Sequence, residues 1–368
     1  MSRNRQNSPE KKKVYFDFTL LFLIVVLLGF GMVMLYSTSS YEAYDKFGDS
    51  MYYLKRQLRS ILLGVVAMII LARIDYHKLK KFATASYVLS FILCAAVPFI
   101  GVEINNSKRW LGVGSLTFQP SEIAKIAAIL FFAMMICKIS GQLKRIKTLI
   151  IMIAFALPVV AVVAASNLST AIIIFGIVVV MAFIASPKVW HFLAIALLFV
   201  GIGVVFITTK GYRAERIDIW LDPEAHEKGY QTVQGLYAIG SGGLFGKGLG
   251  ESMQKLGYVP EAQNDMIFSI ICEELGLFGA VCVLLLFVLL LWRFMVIANN
   301  ADDLFGSMIA VGIMAHIALQ VILNVAVVTN TIPNTGIILP FISYGGTSVI
   351  FLLAEMGLAL SVSRGIKL

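Results

Sequence analysis

The hydrophobic residues of this chain gather into long continuous runs, with polar residues confined to the links between them. Ten such runs stand out, at roughly 15–36, 56–72, 82–101, 119–138, 148–165, 168–186, 189–208, 266–292, 305–329 and 342–362. Each is long enough to cross about 30 Å of hydrocarbon as a helix. The pattern predicts an all-α polytopic membrane protein of ten transmembrane helices, a single multi-pass domain over 1–368. Only Ser166 and Asn167 part the fifth run from the sixth, which predicts a tight helical hairpin there. One polar stretch is long: 209–264, between the seventh and eighth runs. Long links are usually functional or disordered, and the aromatics of this one argue against disorder.

Composition agrees with that reading. Apolar residues make up 59% and charged ones 14%, against roughly 45–50% and 25% in soluble domains. Mean hydropathy is +0.87. The net charge of +9 points to anionic lipid and not to nucleic acid, because the cations cluster at the ends of the apolar runs. An even number of crossings puts both termini on one side. The excess of Lys and Arg in the short links on that side makes it cytoplasmic. The 1–14 segment then reads as a cytoplasmic tail without a cleavable signal, and 209–264 as a large external loop. The four cysteines, Cys94, Cys137, Cys272 and Cys282, fall in apolar runs without metal or disulfide spacing.

Candidate chemistry sits where polar residues meet these runs. Asp265 is an acid at the junction of the long loop with the eighth run, without a neighbouring cation in sequence, and is expected there without deep burial. An acid so placed fits a general base and equally a helix cap. Upstream, GYQTVQGLYAIGSGGLFGKGLG (229–250) is dense in glycine. It gives neither a dinucleotide fingerprint nor a P-loop. Two readings remain for it: a re-entrant turn against the bilayer, or a cradle for a lipid pyrophosphate with Arg213, Arg216, Lys247 and Lys255 as counter-charges. At the fourth run, Arg109 and Trp110 precede Gln119-Pro120-Ser121-Glu122, where Pro120 suits a first helical position. Glu122 suits the positive end of the helix dipole, so capping explains it as well as function does. Lys125, three residues on and inside hydrocarbon, pairs with Glu122 toward an internal cavity that either binds substrate or holds helices together. Glu273 and Glu274 need cationic partners, with Lys125, Arg109 and the loop cations as candidates. His316, Gln320 and Asn324 form one polar stripe, and Glu355 in the tenth run calls for a packed partner.

Four stretches, RWLGVGSLTFQPSEIAK (109–125), the glycine-rich 229–250, YVPEAQNDMIFSIICEELG (258–276) and LPFISYGGTS (339–348), resemble in this order the SEDS family of cell-wall synthases, the FtsW/RodA/SpoVE type. The family's catalytic aspartate in PEA-x-x-D would be Asp265, and its implicated RW tryptophan Trp110. Gln263 and Asn264 replace the histidine and threonine common in the motif, and Met266 a phenylalanine; in the separate SNLSTA run (166–171), Asn167 stands where the family often has an aspartate. The loop sequence is closer to FtsW and SpoVE than to RodA. The resemblance implies a glycosyltransferase of the cytoplasmic membrane that polymerises lipid II into peptidoglycan. It also implies a class B penicillin-binding protein as transpeptidase partner, within division, elongation or sporulation machinery. A lipid II flippase is the alternative. No cofactor is implied; a divalent cation assisting the pyrophosphate is compatible, but no carboxylate cluster predicts a site for one.

Overall fold

The computed structural model describes residues 16–104, 107–113, 116–143, 145–192 and 217–366. Among them are nine long helices: α1 (Phe18–Phe47), α2 (Tyr52–Arg73), α3 (Tyr76–Ile100), α4 (Pro120–Ile139), α5 (Ile146–Ser166), α6 (Leu168–Ala185), α8 (Ile267–Asn300), α9 (Leu304–Val328) and α10 (Gly346–Ser363). A shorter helix, α7 (Tyr230–Ser241), belongs to the long loop. The seventh predicted run lies outside the described residues from 193 onward, as do the 1–14 tail, Arg213 and Arg216. Eight of the long helices have the length and apolar content to cross a membrane. The other, α2, carries Lys55, Arg56 and Arg59 near its start and packs against α1 and along α10. The molecule is an all-α polytopic membrane protein.

Helix ends follow from local chemistry. Asp17 caps α1 by accepting from Leu20 N–H at 2.9 Å, and its carboxylate also takes Arg293 Nε of α8 at 2.7 Å. Asn167 alone separates α5 from α6: its N–H donates to Val163 O, and its side chain accepts from Thr170 N–H at 3.1 Å. That is the predicted hairpin, closed by one residue serving both helices. Close helix contacts use small residues: a Cβ on Gly357 of α10 would meet Met68 O of α2 at 2.5 Å.

Two features went unforeseen. Between α3 and α4 the chain forms a small antiparallel sheet, β1 (Val102–Ile104), β2 (Ser107–Val113) and β3 (Leu116–Phe118), in the order β1-β2-β3. It places Trp110 opposite Val102 and Leu111 opposite Phe118.

The second is a break in α8 at Gly276, where φ is 67° and ψ −168°. A broken helix inside a bundle leaves backbone groups that must be paired. The glycine-rich run supplies the partners. Lys247 and Gly248 N–H donate to the carbonyls of Glu273 and Glu274, and the N–H groups of Leu277 and Phe278 donate to Gly243 and Leu244. A Cβ on Gly246 would lie 2.1 Å from Glu274 O, so only glycine allows this approach. The glycines of this run thus let it pack against the break in α8. Its cradle reading loses two amides, because those of Lys247 and Gly248 are committed to α8.

Candidate functional site

Asp265 lies one residue before the α8 cap, which is Met266 and makes no side-chain cap bond. Burial is the surprise: only 8% of Asp265 is exposed, where shallow placement was expected. The loop before α8 folds back under α7 and the 334–336 segment, which enclose the carboxylate. Gln231 of α7 approaches Asp265 Oδ1 through Nε2 at 3.5 Å and donates to Pro260 O at 3.2 Å. Asn334 donates to Gln231 Oε1 at 3.1 Å. On the other side, a Cβ on Gly336 would sit 3.8 Å from Asp265 Oδ2.

No described cation lies within ion-pair distance of Asp265. The other acids buried in the helices or at their caps are all neutralised: Glu122 by Lys125 at 2.9 Å, Glu273 by Lys247 at 2.6 Å, Glu274 by Lys255 at 2.7 Å, Asp17 by Arg293 at 2.7 Å. Glu355 meets His316 Nδ1 at 2.7 Å. Burial without a counter-charge penalises the carboxylate of Asp265 and lifts its pKa to about 6, with the nearby Glu261 adding to the rise. The Gln231 bond and backbone N–H groups pull the other way. Such a group is ionised at neutral pH yet holds a proton readily.

The other candidates divide into two groups. Glu122 and Lys125 are both buried at the start of α4, and Glu122 Oε2 also accepts from Ser348 of α10 at 3.1 Å. Arg109 Nε donates to Ser166 O at 3.1 Å, at the corner of the α5–α6 hairpin. From that hairpin Ser169 donates to Thr335 O at 2.7 Å, beside the Gly336 that flanks Asp265. Half-buried Trp110 sits on β2 next to Arg109. These residues share the end of the bundle where Asp265 lies.

Lys247 and Lys255 belong elsewhere. Lys255 is buried, and its ammonium donates to Glu274 Oε1 at 2.7 Å, Ser37 Oγ at 2.9 Å and Gly250 O at 2.6 Å. An ammonium has three hydrogens, so Lys255 retains none for a pyrophosphate. This corrects its reading as a counter-charge: the cation serves the fold. Lys247 shares Glu273 with Ser252 Oγ and with the N–H groups of Met253 and Gln254, at 3.2 and 3.3 Å. It is half-exposed and keeps donors to spare. The two glutamates thus pull residues 247–255 down onto the broken helix. Gln231 and Asn334 were missed in the sequence. Gln231 lies inside the glycine-rich GYQTVQ stretch, and its side chain reaches the acid. Among the described residues no group of three or more His, Cys, Asp or Glu could hold a metal ion.

Comparison with known proteins agrees with this geometry. The family model described as a cell cycle protein, of the FtsW/RodA/SpoVE type, matches residues 18–367. Stage V sporulation protein E of Bacillus subtilis (strain 168) is 41% identical over 366 residues, covering 96% of this chain and 98% of the relative. The probable peptidoglycan glycosyltransferase FtsW of Geobacter sp. (strain M18) is 38% identical over 358 residues, at 96% and 98% coverage. A solved chain from work on the structural coordination of polymerization and crosslinking by a peptidoglycan synthase complex superposes with a TM-score of 0.81. It is 29% identical, and the match covers 96% of this chain and 98% of that one. With its model matched from α1 to the end of the bundle and its PEA-x-x-D acid buried at the head of α8, the chain belongs to the SEDS family, the FtsW/RodA/SpoVE type.

Proposed function

We infer that this chain is a peptidoglycan glycosyltransferase that polymerises lipid II at the outer face of the cytoplasmic membrane, with Asp265 as its general base. The observation that carries the base assignment is the isolation of Asp265. Among the described residues it is a buried carboxylate without a cation, whereas the other acids buried in helices are paired. The 4-hydroxyl of the acceptor sugar attacks the anomeric carbon of the donor. Its proton passes to the Asp265 carboxylate as the new C–O bond forms, and the bond to the undecaprenyl pyrophosphate breaks with both electrons going to the leaving group. Arg109 and Lys125 are two of the described cations at this end of the bundle that could meet negative charge; Lys247, Arg213 and Arg216 remain candidates by sequence. Trp110 would shape the acceptor side.

Topology follows the same reading: ten crossings, both termini cytoplasmic, and the 209–264 loop outside. Similarity to a chain of a peptidoglycan synthase complex supports a crosslinking partner, a class B penicillin-binding protein. The alternative, a flippase, needs polar groups free across the whole bilayer depth. Here the polar stripe of α9 is engaged with Glu355 and with backbone carbonyls. The test is to incubate purified protein with lipid II in detergent, where no second leaflet exists. Glycan strands are expected on gels. Intact lipid II after prolonged incubation, alongside transport by the same protein in vesicles, would replace the enzyme with the flippase.

A further inference from the structure

The segment that carries Asp265 and the segment that faces its carboxylate are far apart in sequence. Residues 333–339 run without regular structure, and no strand pairing joins them to 260–265. One backbone bond, Tyr344 N–H to Gln263 O at 2.9 Å, ties the two regions away from the carboxylate. At the backbone of Asp265 the tie is a side chain of α9. Asn324, fully buried, donates one amide hydrogen to Asp265 O at 2.8 Å and the other to Ile337 O at 2.6 Å. Both partners are carbonyl oxygens, so the NH₂ and not the amide oxygen must face them.

The consequences reach both oxygens of the acid. Gly336, adjacent to Ile337, stands against Oδ2. Asn334, three residues before Ile337, holds Gln231, which in turn reaches Oδ1. A ring therefore closes from Asn324 through Ile337, Asn334 and Gln231 to Asp265 and back to Asn324. One turn along the same stripe, Gln320 donates to Ile338 O at 3.0 Å and, among the described residues, makes no hydrogen bond to the Asp265 segment.

We propose that Asn324 is a positioning residue that sets where the Asp265 carboxylate stands relative to its flanking segment; this rests on Asp265 being the base. Asn324 has no exposed surface and its two amide hydrogens are committed to backbone carbonyls, so its loss should lower turnover and leave substrate affinity alone. Kinetics on the purified full-length chain with lipid II provide the test. Asn324→Leu keeps the size and removes both donors. Its kcat should fall about 10–100-fold, as a displaced catalytic group does, with KM within about twofold. Gln320→Leu removes a comparable bond from the same stripe and should hold kcat within about twofold. If gel filtration shows that Asn324→Leu does not fold, Asn324→Ser, which keeps one donor, is read by the same split. An unchanged kcat in the folded variant, or an equal fall in Gln320→Leu, overturns the inference. Asp265→Asn in the same assay separates the two readings. If it is inactive while Asn324→Leu is normal, only the positioning role fails; if it turns over normally, both fail.

Discussion

Lys255→Met is the most informative stability change in this fold. The substitution keeps length and apolar stem but removes the charge that neutralises Glu274, a residue with no exposed surface. Ser37 would remain as the sole hydroxyl on Glu274, donating at 2.6 Å, and Gly250 O would lose its donor. Removing one member of a buried ion pair costs about 3–5 kcal/mol, and an orphaned backbone carbonyl adds roughly 1 kcal/mol. Because Lys255 and Glu274 fasten the loop to the broken part of α8, the loss should open the 242–255 region first. Glu274→Gln alone strands the lysine and should cost a similar amount. Together, Lys255→Met and Glu274→Gln leave no charge behind, so the double variant should recover most of the loss. The assay is the denaturant or heat needed to unfold each variant in detergent, followed by tryptophan fluorescence and arranged as a double-mutant cycle. Additive single effects would refute the coupling and with it the account of how the loop is held.

Asp265 gives two pH-linked expectations. Polymerisation should rise with pH along a limb set by a group with a pKa of about 6, since the base works only when ionised; a rate flat from pH 5 to 8 contradicts this. The same burial makes Asp265 a cost to the fold. Its folded pKa stands above the ordinary value of about 4, so the folded state binds the proton more tightly than the unfolded one. Stability from this group is present below about pH 4 and is lost as pH rises through about 6, leaving the protein roughly 3 kcal/mol short at neutral pH. Asp265→Asn should therefore unfold later than wild type at pH 7.5, with the gap closing at pH 4; a less stable asparagine variant at neutral pH would sink this. For topology, a cysteine at exposed Glu227 should react with a membrane-impermeant maleimide on intact cells. Labelling only after permeabilisation would reverse the orientation.

The sequence made the helices legible because crossing hydrocarbon demands long apolar runs, and nine of the ten runs reappear as described helices. The α5–α6 corner was readable for the same reason: Ser166 and Asn167 part the fifth apolar run from the sixth. Local pattern could not reveal who meets whom. The loop cations were among the candidate partners of Glu273 and Glu274, but the pairing of Lys247 with Glu273 and of Lys255 with Glu274 follows from the break at Gly276 and the loop folding against it. Gly276 itself stood unremarked inside an apolar run. The depth of Asp265 was misjudged because burial came from Gln231 and Gly336, which approach from opposite directions in the chain. The small sheet after α3 was missed since its strands are three to seven residues long, too short for a pattern of alternation to register.

The central claim is that the buried Asp265 carboxylate takes the proton of the acceptor hydroxyl. Asp265→Asn tests it most directly, because asparagine preserves shape and the approach of Gln231 but cannot accept the proton. Purified, folded Asp265→Asn is expected to lose about 10²–10⁴-fold in the rate of glycan formation from lipid II, with lipid II binding retained. Glycan formation above about a tenth of the wild-type rate would contradict the assignment of Asp265 as the base.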